Sequence, residues 1–235
     1  MIGSERVIVA LDLPDRSACD EITRRIGPDL RYVKIGSRLF TSEGPSILAW
    51  ARERGFRVFL DLKFHDIPNT VEEAVAAVAS LEAVSLLTVH ASGGREMIRA
   101  ARKGSERAGA NRPRILAVTA LTSLTEGSLQ EIGFSPADPA SVAGRLGRLA
   151  MDSGADGLIC SAMEVAHLRE TLPKNILLVV PGIRSVAGDD DQKRTASAGE
   201  AIHLGADYLV VGRPILGSTD PRKAFLDLVR ETESR

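Results

Sequence analysis

The sequence is poor in cysteine, with only Cys19 and Cys160 among its 235 residues. Two cysteines are too few for a disulfide framework or for a four-ligand zinc site built from cysteine pairs. Cys160 lies in an apolar run, so we expect it to be a small buried residue. This cysteine usage favours a protein that stays in the reducing cytoplasm.

Long apolar runs and an excess of one charge are also missing. No apolar stretch reaches the roughly 18 residues that a membrane-spanning helix requires. The segment from Met1 to Arg6 carries charge and leads straight into a short apolar run, unlike a signal peptide. The net charge is −1, so no overall field attracts nucleic acid or an anionic membrane. We therefore expect a soluble protein with no nucleic-acid partner and no membrane attachment.

Short apolar runs recur along the chain, with helical patterns between them. Such alternation is typical of a parallel sheet covered by helices. Eight runs predict a (β/α)8 TIM barrel, with residues 1–235 as a single domain and a doubly wound open sheet as the alternative. No Gly-x-Gly-x-x-Gly follows the first run, which disfavours a dinucleotide-binding open sheet. The predicted strands are Val7–Leu11, Tyr32–Gly36, Val58–Lys63, Leu86–His90, Ile115–Leu121, Gly157–Ser161, Leu177–Val180 and Tyr208–Val211.

Helical periodicity fills most of the segments between the strands. The predicted helices are Pro14–Ile26, Leu39–Arg54, Val71–Leu81, Gly93–Ala108, Pro139–Met151, Glu164–Leu172, Ser197–Leu204 and Arg222–Thr232. The longest connection without a clear pattern runs from Thr122 to Asp138. Its Gly, Ser and Thr content suits a loop over a site or a surface excursion.

The most informative stretch is Asp61–Thr70, which follows the apolar run Val58–Leu60. Side chains alternate between the two faces of a strand, so Asp61 and Lys63 are expected to project together from its end. Asp66 follows three residues later, where the chain turns. Carboxylate and ammonium groups in this arrangement are costly to desolvate unless they pair. The pattern alone fits either a structural ion-pair network or a reaction site.

Other polar residues stand at or near the ends of the predicted strands. Active sites of (β/α)8 barrels form at the carboxyl ends of the strands, so these residues are expected to meet at one rim. A rim of mixed charge is hard to explain as ordinary solvated surface. The residues are Asp12, Lys34, Asp61, Lys63, Asp66, His90, Thr122, Arg184 and Arg213. For His90 we expect a packing or supporting role, because a competent proton donor is already present among these residues.

The turns after the seventh and eighth strands have the composition of a phosphate site, and loops at these positions commonly bind phosphate in barrels. Gly182 and Gly212 permit close approach of the backbone to an anion. Arg184 and Arg213 carry planar guanidinium groups that match phosphate oxygens. The alternative is two ordinary turns whose arginines point into solvent.

The run Asp61-Leu62-Lys63-Phe64-His65-Asp66-Ile67-Pro68-Asn69-Thr70 closely resembles the signature of the orotidine 5'-phosphate decarboxylase family, in its short bacterial type. The similarity extends over nearly the whole chain. Besides Asp12 and Lys34, the matching motifs are Leu121–Ser123, Pro181–Arg184, Asp191–Lys193 and Val211–Pro214.

This resemblance implies decarboxylation of orotidine 5'-phosphate to UMP, the last step of de novo pyrimidine nucleotide synthesis, without a metal or a cofactor. Lys63 would donate the proton, Asp61 would lie beside the departing carboxylate, and the catalytic set would be Lys34, Asp61, Lys63 and Asp66. Substrate would be held at the ribose by Asp12 and Lys34, at the pyrimidine by Thr122, and at the phosphate by Arg184, Gln192, Gly212 and Arg213. In a homodimer, Asp66 and Thr70 would reach the site of the partner subunit.

Two other functions stay open on the residues themselves. The first is a related barrel decarboxylase or aldolase that uses a divalent cation and an enediolate, and it requires a carboxylate metal site. The second is a sensor of a phosphorylated ligand on a barrel that has lost its activity. That second function predicts the loss of a catalytic charge, whereas Lys34, Asp61, Lys63 and Asp66 are all present.

Overall fold

A closed parallel barrel forms the centre of the molecule. The computed structural model describes residues 3–183 and 196–233. Within them the strands pair in chain order, and the last strand pairs with the first, so the predicted TIM barrel is confirmed. The strands are β1 (Val7–Ala10), β2 (Tyr32–Gly36), β3 (Arg57–Phe64), β4 (Val84–His90), β5 (Arg114–Val118), β6 (Gly157–Ile159), β7 (Leu177–Pro181) and β8 (Tyr208–Val211).

Helices cover the outside of the barrel. They are α1 (Gly3–Arg6), α2 (Arg16–Ile26), α3 (Ser37–Glu43), α4 (Ser46–Glu53), α5 (Pro68–Ala79), α6 (Gly94–Glu106), α7 (Glu126–Glu131), α8 (Pro139–Met151), α9 (Ala162–Thr171), α10 (Ala198–His203), α11 (Arg213–Leu216) and α12 (Pro221–Glu233). Among the described residues, no helix combines the length and the apolar character needed to cross a membrane.

Both faces of the barrel strands are buried, which explains why the strands appear in the sequence as continuous apolar runs. Phe59 and Leu86 belong to the cluster that fills the barrel interior. The residues after them, Leu60 and Leu87, pack outward in the larger core beneath the helices. Because side chains alternate, the inward positions nearer the carboxyl ends of β2, β3 and β4 fall to polar residues.

The structure differs from the predicted elements in several places. The predicted helix Leu39–Arg54 is divided into α3 and α4, because Gly44 has a φ of 62° and Pro45 lacks a backbone donor. The third strand is longer than predicted and extends from Arg57 to Phe64. The connection Thr122–Asp138 contains the short helix α7, which Thr125 caps by accepting a hydrogen bond from the Ser128 N–H.

The close packing of α6 on α5 predicts a large difference between two helical glycines. A Cβ added at Gly104 would lie 2.3 Å from the carbonyl oxygen of Glu72, in the backbone of α5. We expect Gly104→Ala to lower the free energy of unfolding by about 1–3 kcal/mol, because a backbone atom cannot move aside as a side chain can.

The matched control is Gly144→Ala in α8, where the nearest atom to an added Cβ is Nε2 of His167 at 3.5 Å. This contact is ordinary, so the change should raise the free energy of unfolding by up to about 1 kcal/mol through helix propensity. Urea denaturation followed by circular dichroism measures both variants. Equal effects at the two positions would contradict the close packing of the helix pair.

Candidate active site

Charged side chains from the first three strands meet at the carboxyl-terminal mouth of the barrel. Asp12 follows β1, Lys34 lies in β2, and Asp61 and Lys63 lie in β3. Neighbouring parallel strands place their carboxyl ends side by side, and the register pairs Gly36 of β2 with Asp61 of β3. The predicted grouping of these four residues is therefore observed.

Asp61 is the centre of this network. Its Oδ1 accepts a hydrogen bond from Nζ of Lys63 at 2.8 Å, and its Oδ2 lies 3.7 Å from Nζ of Lys34. Lys34 also donates to Oδ1 of Asp12 at 2.9 Å. The side chains of Asp61 and Lys34 are only 14% and 11% exposed, whereas that of Lys63 is 34% exposed. The ammonium group of Lys63 is therefore more accessible than that of Lys34 to a ligand in the mouth.

The backbone at Lys63 departs from a regular strand. Its φ is 52°, and the pairing of β3 with β4 shifts register between Leu60 and Phe64. A left-handed backbone costs a residue with a side chain roughly 1–2 kcal/mol. Simple alternation predicted that Asp61 and Lys63 would meet, and they do, but through this irregular segment. Unusual backbone conformations of this kind are often found at functional sites.

Thr88 of β4 holds this segment in place, and the sequence did not single it out. Its hydroxyl donates to Oδ1 of Asp61 at 3.0 Å and accepts the backbone N–H of Lys63 at 2.9 Å. Thr88 is fully buried. The available signal was the hydroxyl of Thr88 within the apolar run Leu86–Val89, because buried polar groups are almost always hydrogen-bonded.

Asp66 lies outside the network of its own chain. Its Oδ1 accepts the backbone N–H of Ile67 at 2.7 Å, and no ion pair joins it to Lys63. Asp66 and Thr70 are exposed, and Ile67 between them is 66% exposed although apolar. This turn, followed by α5, presents polar and apolar side chains outward from the barrel rim.

The turns after β7 and β8 form the other wall of the mouth. Gly182 has a φ of 78°, which favours glycine. A Cβ added at Gly212 would lie 3.6 Å from Oδ2 of Asp12, so the turn after β8 passes close to the charged network. Arg213 begins α11, and its side chain is exposed. The predicted phosphate residues Arg184 and Gln192 lie outside the described residues.

Two further predicted positions lie near the rim. Thr122 is half-buried in the turn after β5. His90 ends β4, and its ring centroid lies 5.4 Å from that of His65. Burial lowers the pKa of His90, and the nearby His65 and Lys63 lower it further. The packing role expected for His90 stays a prediction. Cys160 is buried, as expected.

Comparison with known proteins identifies the family. The model of the "Orotidine 5'-phosphate decarboxylase / HUMPS family" matches residues 5–228, almost the whole chain. The chain belongs to this family. The resemblance first carried by Asp61–Thr70 is thereby confirmed.

Similar proteins in the orotidine 5'-phosphate decarboxylase / HUMPS family are 37% to 47% identical to this chain. The orotidine 5'-phosphate decarboxylase of Hahella chejuensis is 47% identical over 235 residues, covering 100% of both chains. That of Anaeromyxobacter dehalogenans is 47% identical over 225 residues, 95% of this chain and 96% of the relative. The crystal structure of orotidine 5'-phosphate decarboxylase from Lactobacillus acidophilus has a TM-score of 0.87 and 37% identity, covering 97% of this chain and 99% of that chain.

The carboxylates of this family member do not gather as a metal site in the described part of the chain. Across residues 3–183 and 196–233, no three His, Cys, Asp or Glu side chains are grouped as metal ligands. At the mouth, the carboxylates instead contact ammonium and hydroxyl groups: Asp12 contacts Lys34, and Asp61 contacts Lys34, Lys63 and Thr88.

The contacts of Thr88 predict that its hydroxyl, rather than its volume, supports the site. Thr88→Val keeps the shape but leaves the Lys63 N–H without its acceptor and removes a donor to Asp61. We expect the free energy of unfolding to fall by about 1–3 kcal/mol, since one buried polar group loses its partner. Thr88→Ser retains the hydroxyl, so its free energy of unfolding should fall by less than that of Thr88→Val. Chemical denaturation measures both variants. A larger loss in Thr88→Ser than in Thr88→Val would show that the methyl group dominates.

Proposed function

We propose that this protein decarboxylates orotidine 5'-phosphate to UMP, the last step of de novo pyrimidine nucleotide synthesis. The observation that carries the proposal is the alternation of Lys34, Asp61 and Lys63 at one barrel mouth, with Nζ of Lys63 2.8 Å from Asp61 and partly exposed. The relatives named orotidine 5'-phosphate decarboxylase support the same activity at 47% identity.

The reaction requires stabilisation of a carbanion. The bond between C6 and the carboxylate breaks, CO2 leaves, and the electron pair remains on C6 of the pyrimidine. No adjacent carbonyl group accepts this charge, so groups that are already oriented must stabilise it electrostatically. The ammonium of Lys63 supplies a positive charge at this point and then transfers a proton to C6, which completes UMP.

Asp61 is proposed to lie beside the departing carboxylate. Its orientation is fixed before substrate binds, because Lys63 and Thr88 both donate to Oδ1 and Lys34 faces Oδ2. Preorganised groups of this kind need little rearrangement as charge develops. The same contacts favour a reaction without a divalent cation, since ammonium groups already occupy the positions around the carboxylate that a metal ion would take.

The remaining predicted residues are proposed to bind the nucleotide. Asp12 and Lys34 would hold the ribose, and Thr122 would contact the pyrimidine. The phosphate would lie at Gly212 and Arg213, close to Asp12, together with Arg184 and Gln192, whose roles rest on the family resemblance. Binding energy from the distant phosphate would keep the ring in the position that the reaction needs.

The active form is proposed to be a homodimer with shared sites. Asp66 and Thr70 are exposed in the single chain, and the exposed Ile67 offers apolar area for a subunit interface. In a two-fold dimer the turn of one subunit would reach the mouth of the other. Asp66 would then add a second carboxylate beside Lys63 in the partner's site, so that positive and negative groups alternate along Lys34, Asp61, Lys63 and Asp66.

The activity is tested by the ultraviolet change on mixing the protein with orotidine 5'-phosphate in excess chelator. We expect turnover to persist, and Lys63→Ala to lower kcat at least about 10³-fold while UMP binding stays within about tenfold. The control is Lys223→Ala, an exposed lysine on α12 paired with Asp227. Activity that vanishes with chelator and returns with magnesium would favour the metal-dependent alternative, and near-normal turnover of Lys63→Ala would exclude Lys63 as the acid.

Shared sites predict that two inactive variants complement each other. Lys63→Ala and Asp66→Ala should each be nearly inactive, but in a mixed dimer one site collects both changes and the other neither. Random exchange of equal amounts makes about half of the dimers mixed, so roughly a quarter of wild-type activity should return. Mass-tagged subunits report exchange. Mixed dimers with no gain in activity would show that Asp66 acts within its own chain.

A further inference from the structure

A second polar cavity lies at the opposite, amino-terminal end of the barrel. Its volume is about 380 Å³, within the range of small-ligand sites. It is lined by the first residues of five strands: Tyr32 of β2, Arg57 of β3, Val84 of β4, Arg114 of β5 and Tyr208 of β8. Ser85 and Asn111 add a hydroxyl and an amide. Among the residues that the structure describes, none of those assigned to the candidate active site lines this cavity.

Strand alternation directs the two arginines toward the barrel axis. Arg57 occupies the same face of β3 as Phe59, and Arg114 the same face of β5 as Leu116. Phe59 and Leu116 belong to the interior cluster. Bulky branched apolar residues dominate the layers that fill such barrels, so two guanidinium groups at one end of the axis are unusual.

Among the described residues, no acidic side chain pairs with the guanidinium group of Arg114. Arg112 donates to both oxygens of Asp156, at 2.7 and 2.6 Å, and is therefore committed to structure. Arg57 has a longer contact of 3.7 Å with Glu5. In the ranges 3–183 and 196–233, Arg114 has no ion-pair partner.

The two tyrosines supply further hydrogen-bond donors. Their rings meet edge-on, with centroids 5.6 Å apart, and the guanidinium group of Arg57 lies 5.6 Å from the centre of the Tyr32 ring. Burial, followed by the electrostatic interaction and the hydrogen bond with Tyr32, raises the pKa of Tyr208 to about 12, while Arg114 and Arg57 act in the opposite direction. The Tyr208 hydroxyl therefore keeps its proton at neutral pH.

We propose that this cavity binds a small phosphate-bearing anion, in addition to the nucleotide bound at the other end of the barrel. Guanidinium groups match phosphate oxygens in geometry and charge, and they are more weakly hydrated than ammonium groups. Arg57 and Arg114 supply the charge, and the hydroxyl groups of Tyr32 and Tyr208 supply neutral donors. The lining acid, Glu82, has a side chain that is 74% exposed and contacts Arg52, so it does not cancel this charge at the axis.

The composition of the chain provides a direct test. The protein has only two tyrosines, Tyr32 and Tyr208, and both line this cavity. Titration with inorganic phosphate at constant ionic strength, followed by the near-ultraviolet tyrosine signal, therefore reports on the cavity and not on the candidate active site. We expect a saturable change in the wild-type protein. In Arg114→Gln its midpoint should move to at least roughly tenfold higher phosphate, as expected for the loss of a charge-assisted contact.

Three variants complete the experiment. Arg57→Gln should weaken binding as Arg114→Gln does, and it serves as the test if Arg114→Gln fails to fold. Arg99→Gln, an exposed arginine of α6 paired with Glu96, makes the same change in net charge and should leave the midpoint unchanged. Arg213→Ala, at the other end of the barrel, should also leave it unchanged. No saturable tyrosine change in wild type, an unshifted midpoint in both cavity variants, or loss of the signal in Arg213→Ala would overturn the proposal.

Discussion

The arrangement of the charged side chains at the mouth depends on the carboxylate of Asp61. It lies between the ammonium groups of Lys34 and Lys63 and also accepts the hydroxyl of Thr88. Through Lys34 the network reaches Asp12, so one carboxylate links the ends of four adjacent strands. Without the carboxylate of Asp61, the positive charges of two partly buried ammonium groups, those of Lys34 and Lys63, would lose the negative charge that they share. Leaving such charges unpaired away from water is costly.

Closure of the barrel brings this network next to the proposed phosphate site. Because β8 pairs with β1, the turn at Gly212 lies close to Asp12, and a Cβ added at Gly212 would be 3.6 Å from Oδ2 of Asp12. The two walls come from opposite ends of the sequence, yet they are neighbours at the mouth. In an open sheet with β1 and β8 at different positions, this adjacency would be lost. The same residues would then lie too far apart to bind a single nucleotide.

The inward-facing positions of the strands carry different charged groups at the two ends of the barrel. Along β3 the inward sequence is Arg57, Phe59 and Asp61, so a guanidinium group and a carboxylate are separated by an aromatic ring. The apolar layer between them contains Leu86 and Leu116. Because both ends are open to solvent and the middle is filled, each mouth keeps its own electrostatic environment.

The sequence by itself determined the order of the eight strands and the placement of Asp12, Lys34, Asp61 and Lys63 at strand ends. Apolar periodicity is a local property, and these features depend on little else. Only the tertiary structure decided that Thr88, 25 residues after Lys63 and on another strand, bonds to the Lys63 backbone. The left-handed backbone of Lys63 lies at the register shift between β3 and β4. A sequence pattern predicts which face a side chain takes, but the atom that it meets depends on register between distant strands.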